Sequence, residues 1–223
     1  MNANRSNNPA SSMKPVLEKP FISGVILAAG SSTRMKPHGP KQLLRHSEQT
    51  LLEHVVHQAA ASQLDELIVV LGHEAECVRK SISPSTRVPL RFTVAPDHAL
   101  GQSRALGAGL AAADPRAEAA AILLGDQPDL PPTTIDLALE AWPRLRPPLL
   151  RPEYPDSGDP NQPGHPVVIC RKIWPMMMQL DGDQGAREII RSHPDWLETF
   201  PMTGAAPKDI DRIEDWNAWV QSR

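Results

Sequence analysis

No stretch of this 223-residue chain approaches the ~18 apolar residues that a membrane span needs, so no membrane association is expected. Charge of neither sign is in excess: 23 Lys and Arg against 26 Asp and Glu leave a formal net charge of -3. A general nucleic-acid-binding face needs a strongly basic surface, so that class has no electrostatic footprint here. The chain is not acidic enough for a disordered, tail-like protein either. Cysteine is scarce. Cys77 and Cys170 lie far apart and in no metal-ligand spacing, and Cys170 ends an apolar strand-like run, as a buried free thiol would. The first twenty residues are polar and rich in Asn, Ser and Pro, without the apolar h-region of a signal peptide. Residues 1–19 are expected to be a disordered leader, residues 20–223 a single domain, and the protein cytoplasmic. There is no internal repeat. The Gly-Lys-Ser/Thr of the nucleotide P-loop is also missing, so any phosphate site must be built another way.

What is present is a hydrophobic fraction of 40%, enough for a packed core, arranged as strands alternating with helices. Mostly apolar segments at 22–27, 66–71, 119–124 and 167–170, an alternating one at 90–94 and shorter signals at 149–151 and 197–202 read as strands. Helices are expected from 51, with Thr50 and Glu53 as a capping box, and over 74–81 and 103–113. Others are expected from a Thr133 cap to Trp142, where Pro143 stops the helix, over 175–180 and 185–192, and from 213. Residues 155–163 form a Pro/Gly/Asp-rich loop. This is an α/β pattern with a mostly parallel sheet covered on both faces. Ligands of such sheets sit beyond the C-terminal strand ends, so the turns after residues 27, 71 and 124 are where chemistry is expected.

Five segments at such places carry reactive groups. In the first, the strand ending at Leu27 turns at Ala28-Ala29-Gly30 and then supplies Ser31, Ser32, Thr33, Arg34 and, further on, Lys41. Small residues let backbone N–H groups approach phosphate oxygens, and two cations offset charge that develops as a phosphorus–oxygen bond breaks. In the second, Asp126 follows the strand 119–124, where a carboxylate is placed to hold Mg²⁺ against phosphates; the alternative is a turn residue before Pro128. In the third, Asp209 and Asp211 alternate onto one side of an extended segment. Asp211 is the second metal candidate, or else the cap of the last helix with Glu214. In the fourth, Gly164-His165-Pro166 forms a tight turn before a strand, with His165 either facing an acceptor or structural. In the fifth, Gly182 to Arg187 opens a helix with small residues and a cation, which suits an anion or simply a turn.

These groups, in this order, resemble the MobA-like nucleotidyltransferase family. The opening pattern LAAGxSxRM matches Leu27 to Met35, and the spacing Arg-Met, four residues, Pro-Lys matches 34–41. The segments GHPV and GDxGAR are similar to the molybdenum cofactor cytidylyltransferase branch. The resemblance implies a Rossmann-like three-layer α/β/α fold of the nucleotide-diphospho-sugar transferase type. It also implies Mg²⁺-dependent transfer of CMP from CTP to the phosphate of molybdopterin, with release of pyrophosphate. Leu27, Ala28, Ala29, Gly30, Ser31, Arg34, Lys41, Gly72, Gly101 and Gln102 would then bind nucleotide. Arg34, Lys41 and Asp126 would be catalytic, and Asp126 with Asp211 would hold Mg²⁺. Gly164, His165, Pro166, Asp183 and Arg187 would face the acceptor. A molybdenum hydroxylase is the implied client. The chain departs from the family pattern at Lys36, where relatives carry Gly, and at Ala105, where they carry Ser. Two other readings stand beside this one: the same chemistry on a sugar or polyol phosphate, and a non-catalytic carrier of the cofactor.

Overall fold

The computed structural model describes residues 19–32, 35, 39–83, 86–155, 164–182 and 185–223, with Gly185 and Ala186 described in backbone only. Residues 1–18 of the expected leader, Arg34, Lys36, Asp183 and most of the 155–163 loop fall outside these residues.

Strand β1 (Ile22–Ala28) lies at the middle of a seven-stranded sheet. It pairs in parallel with β4 (Glu66–Leu71) on one side and β6 (Ala119–Leu124) on the other. Beyond β4 runs β5 (Leu90–Val94), also parallel. Beyond β6 come β8 (Val167–Cys170), β7 (Leu149–Glu153) and β9 (Leu197–Pro201), with β8 antiparallel to both its neighbours. The order is β5-β4-β1-β6-β8-β7-β9. Two-residue strands β2 (Arg45–His46) and β3 (Gln49–Thr50) form a separate small hairpin.

The central strands read as continuous apolar runs because helices cover both faces. On one face α1 (Leu51–Ala60) and α4 (Pro132–Leu145) bury Leu52, Val55, Val56, Ile135 and Trp142 against Ile26, Leu67 and Val69. α2 (Ala75–Lys80) adds Val78 to the same core. On the other face α3 (Gln102–Ala112), α5 (Trp174–Met177) and α6 (Gly185–Ser192) supply Leu106, Leu110, Trp174, Met177 and Ile189 against Val25, Ile68 and Val70. A third cluster docks α7 (Ile213–Gln221) through Trp216 and Trp219 onto Leu51, together with Ile210. Cys170 is a buried free thiol, and Cys77 is free and exposed. Among the described residues no helix is long and apolar enough to cross a membrane.

Most expected elements occur within a residue or two of their sequence bounds, and the capping box of Thr50 and Glu53 is formed, with Glu53 N donating to Thr50 Oγ1 at 3.2 Å. Three details differ. α4 begins at Pro132 after Pro131, with no side-chain cap from Thr133; a proline at the first helical position gives up an N–H that would have no partner there anyway. Pro143 does not stop α4. It lies in the last turn, where one lost backbone bond is offset by burial of Trp142 beside it, and the helix ends at Arg146 in a left-handed cap. α5 closes at Met177 rather than 180, leaving Met176 and Met178 partly exposed.

Candidate active site

The parallel strands β1, β4 and β6 end side by side, and their following turns form one wall of a cleft of about 1240 Å³. The loop after β1 is closed by the Lys41 backbone N–H and the Gln42 side chain. Ser32 stands at φ 50, and its hydroxyl accepts from Lys41 N at 3.1 Å and donates to Gln42 Oε1 at 3.2 Å. Gln42 is buried, and its Nε2 donates to the carbonyls of Ala28 at 3.0 Å and Gly30 at 3.2 Å. These bonds hold the Ala28–Ser32 backbone in a fixed arc. Neighbouring glycines let the turns meet: a Cβ on Gly72 would lie 2.4 Å from the Ala29 carbonyl oxygen.

Lys41 projects from this loop to the end of β6. Its Nζ lies 2.6 Å from Asp126 Oδ2 and 3.0 Å from Asp211 Oδ1. Burial opposes the lysine's charge, but the two carboxylates, Asp126 foremost, outweigh it and hold the pKa above its usual value. The other oxygen of Asp126, Oδ1, is buried and has no hydrogen-bond partner. Asp211 reaches the lysine because its segment is tied down twice. Ile210 N donates to the Asp126 carbonyl at 2.9 Å, and the Trp216/Trp219 cluster anchors the helix that follows. Asp211 is not the cap of α7: the Asp215 carboxylate accepts the N–H groups of Asp211 and Arg212 at 3.1 and 2.8 Å. Asp209 accepts from Gln127 Nε2 at 2.7 Å; burial, and next the Asp126 charge, raise its pKa.

Of the residues singled out from sequence, Leu27, Ala28, Ala29, Gly30, Ser31, Lys41, Gly101, Gln102, Asp126, His165 and Arg187 line this one cleft. Gly72 supports the loop from behind. Gly164 and Pro166 are buried beneath His165 rather than lining the cleft; Gly164 packs against Pro152, and the His165–Pro166 bond is cis. Arg34 and Asp183 lie outside the described residues. Ala105, one of the positions that departs from the family pattern, also faces the cleft. Sequence reasoning gave no role to Gln42, Gln127, Arg151 or Lys208, all of which line it. A glutamine beside Lys41 carried no pattern of its own. Arg151, a cation directly after the buried pair Leu149-Leu150 in a short strand, was the clearest missed signal.

The two ends of the cleft differ in chemistry. The end near β5 and α3 holds His98, Gly101 and Gln102. The end over β8 and β7 holds His165, Arg151 and Arg187. Burial, then the Arg151 charge, lowers the His165 pKa to about 4, so the imidazole is neutral at physiological pH.

Residues 24–196 match the family model of the MobA-like NTP transferase domain. The chain belongs to the MobA-like NTP transferase family. A curated relative, nicotine blue oxidoreductase of Paenarthrobacter nicotinovorans, is 30% identical over 201 residues, covering 87% of this chain and 94% of that protein. The crystal structure of Rv0371c from Mycobacterium tuberculosis superposes with a TM-score of 0.77 at 27% identity, over 91% of this chain and 98% of that one. Rv0371c has also been solved as a complex with manganese, with a TM-score of 0.73 to this chain. A nucleotidyl transferase from Methanothermobacter thermautotroptrophicus shares the fold, with a TM-score of 0.71 at 21% identity over 91% of this chain and 97% of that one. The MobA-like NTP transferase family is a nucleotidyltransferase family, and the Rossmann-like α/β sheet is its fold.

Proposed function

We propose that the protein transfers CMP from CTP to the phosphate of a molybdopterin-type acceptor in the cytoplasm and releases pyrophosphate. The observation that carries the transferase chemistry is the Lys41 ammonium held between Asp126 and Asp211 beside the Ala28–Ser32 arc. Backbone N–H groups of that arc cradle the triphosphate, and Lys41 neutralises charge on the leaving pyrophosphate. The acceptor phosphate is already ionised, so no side chain need deprotonate it; the protein's work is in-line positioning and charge stabilisation. The choice of cytidine and of the acceptor rests on the resemblance of the GHPV and GDxGAR segments to the molybdenum cofactor cytidylyltransferase branch.

Mg²⁺ belongs to this proposal. Among the described residues no three His, Cys, Asp or Glu side chains converge as a closed metal site. Two carboxylates plus substrate oxygens suffice for Mg²⁺, however, and the unpartnered Oδ1 of Asp126 is a vacant acceptor there. Asp126 and Asp211 would hold the ion, which would polarise the phosphoryl oxygens. The manganese complex of Rv0371c supports a divalent cation in this fold.

A second reading follows from the oxidoreductase name of the relative at 30% identity: the same cleft, holding a redox nucleotide. One experiment separates the two. Pyrophosphate release is followed with Mg²⁺ and molybdenum-loaded molybdopterin, using CTP, GTP, ATP and UTP side by side, and reduced nicotinamide nucleotide absorbance is monitored in parallel. Release with CTP alone is the expected result. Release only when a sugar or polyol phosphate replaces molybdopterin reassigns the acceptor. Nucleotide oxidation without pyrophosphate overturns the transferase reading. Stoichiometric binding of the cofactor with neither signal makes the protein a carrier, delivering to a molybdenum hydroxylase client.

A further inference from the structure

Arg151 lies on β7 with its side chain on the same face of the sheet as Leu149, the face where the cleft opens, while Leu150 points into the opposite core. It is half-buried, and among the described residues it has neither a hydrogen bond nor an ion pair. Several other arginines of the sheet and helices are paired: Arg91 with Glu66, Arg104 with Asp181 and Arg146 with Glu118. Glu153, the carboxylate whose charge reaches Arg151, is instead accepting from Thr199 Oγ1 at 3.1 Å. Burial opposes the charge of Arg151 and Glu153 offsets this only in part, so a guanidinium with its donors free toward the cleft gains from an anionic ligand. What faces Arg151 is the cleft. Arg187 of α6 lines the same end, again with no ion pair among the described residues, and the neutral His165 completes the wall.

We propose that Arg151 and Arg187 form a second anion subsite, which takes an oxyanion of the acceptor, carboxylate or phosphate, that does not take part in the transfer. β7 stands two strands from β6 in the sheet, about 10 Å at the usual strand spacing. The group it meets therefore belongs to a part of the acceptor away from Lys41 and Asp126. A planar guanidinium with parallel donors matches a two-oxygen face, which a lysine at the same place would not. This inference rests on the transferase reading for the word acceptor, but the anion site itself stands on Arg151.

The test uses the full chain as wild type, Arg151→Gln and Arg151→Lys. Thermal melts in phosphate-free buffer, with Mg²⁺ and saturating CTP, are recorded against rising inorganic phosphate and, separately, rising acetate. The subsite predicts that one or both anions raise the wild-type melting temperature. The concentration needed should be at least tenfold higher for R151Q and intermediate for R151K, with the CTP affinity of all three within twofold. Whichever anion acts at lower concentration identifies the oxyanion as phosphate or carboxylate. The unliganded R151Q protein should melt at or above the wild-type temperature, because it loses an unpaired half-buried charge. Equal anion responses in wild type and R151Q overturn the subsite. So does an unliganded R151Q that melts several degrees lower, which would make the guanidinium a structural strut. Failure of the wild type to bind CTP sinks the nucleotidyltransferase reading alone; the anion series, repeated without CTP, still decides on Arg151.

Discussion

Lys41 and Asp126 are 85 residues apart in sequence and 2.6 Å apart in space, joined across the ends of two neighbouring parallel strands. The carboxylate does two things there: one oxygen holds the lysine, and the other is buried and unpartnered. Asp126→Asn keeps the shape and removes the charge. Turnover should fall about a thousandfold, as when a charge-stabilising group is lost from a transfer site, while the circular dichroism spectrum stays wild-type. Activity within tenfold of wild type at saturating Mg²⁺ would remove Asp126 from the chemistry.

Lys41→Met tests the other partner. It leaves Asp126, Asp209 and Asp211 facing one another without the ammonium that joins Asp126 to Asp211, so the variant should lose both nucleotide affinity and stability at pH 7. The sign of the pH effect follows from Asp209, whose pKa is raised by burial and then by Asp126. A carboxyl with a raised folded pKa stabilises at low pH and loses that contribution as pH rises through the folded value. Removing the lysine strengthens this, so the deficit of K41M relative to wild type should shrink between pH 7 and pH 5. Melting temperatures at both pH values measure it, and a deficit that grows on acidification contradicts the arrangement.

Two glycines of the nucleotide wall should respond in opposite ways. A Cβ on Gly30 would meet nothing within 4 Å, yet Gly30 lines the cleft. Gly30→Ala should therefore leave the melting temperature unchanged while raising the nucleotide KM roughly tenfold by blocking close approach of a phosphate. A Cβ on Gly72 would strike the Ala29 carbonyl oxygen at 2.4 Å and His98 Cγ at 2.7 Å. Gly72→Ala should thus destabilise the fold by about 2 kcal/mol, in the range of overpacking substitutions. Urea denaturation together with nucleotide KM for both variants checks the contrast.

The parallel core was legible because β6 is an uninterrupted apolar run of six residues and β4 one of five after Glu66, each closed by a glycine that marks the turn. Lys41 and Asp126 were legible for the same reason: strand ends are where such sheets bind ligands. Gln42 was not. Its role depends on hydrogen bonds to carbonyls ten or more residues back, and nothing local in PKQLL encodes them. Asp211 was ambiguous in sequence between metal ligand and helix cap, and only the position of Asp215 resolves the cap. Arg151 was hidden by its setting, since one cation in a short strand reads as an edge residue until the sheet order puts it over the cleft.

Gln42 offers a prediction of its own. Its amide donates twice and accepts once, so Gln42→Leu strands the Ala28 and Gly30 carbonyls and frees Ser32. The expected loss is about 2 kcal/mol of stability, with a nucleotide KM raised about tenfold. Gln42→Glu should be worse at neutral pH, because its carboxylate would point oxygen at two carbonyl oxygens, and it should recover partly on acidification as the carboxyl gains a proton it can donate. If Q42E equals wild type in KM and stability, the loop is not pinned by this side chain.

The acceptor end of the cleft carries its own pH signature. His165 titrates at about 4 in the folded chain, against an ordinary value of 6.5, because it is buried and stands beside Arg151. Between those two values the unfolded chain binds a proton that the folded chain refuses. Stability therefore rises with pH across that window and is lost as pH falls through it, by on the order of 2 kcal/mol. His165→Asn removes this group, so the variant should lose less stability than the wild type on going from pH 7 to pH 4.5. Denaturant midpoints at the two pH values give the comparison. If both proteins lose stability in parallel, another group is responsible for the acid sensitivity, and the neutral imidazole in the acceptor wall has to be abandoned.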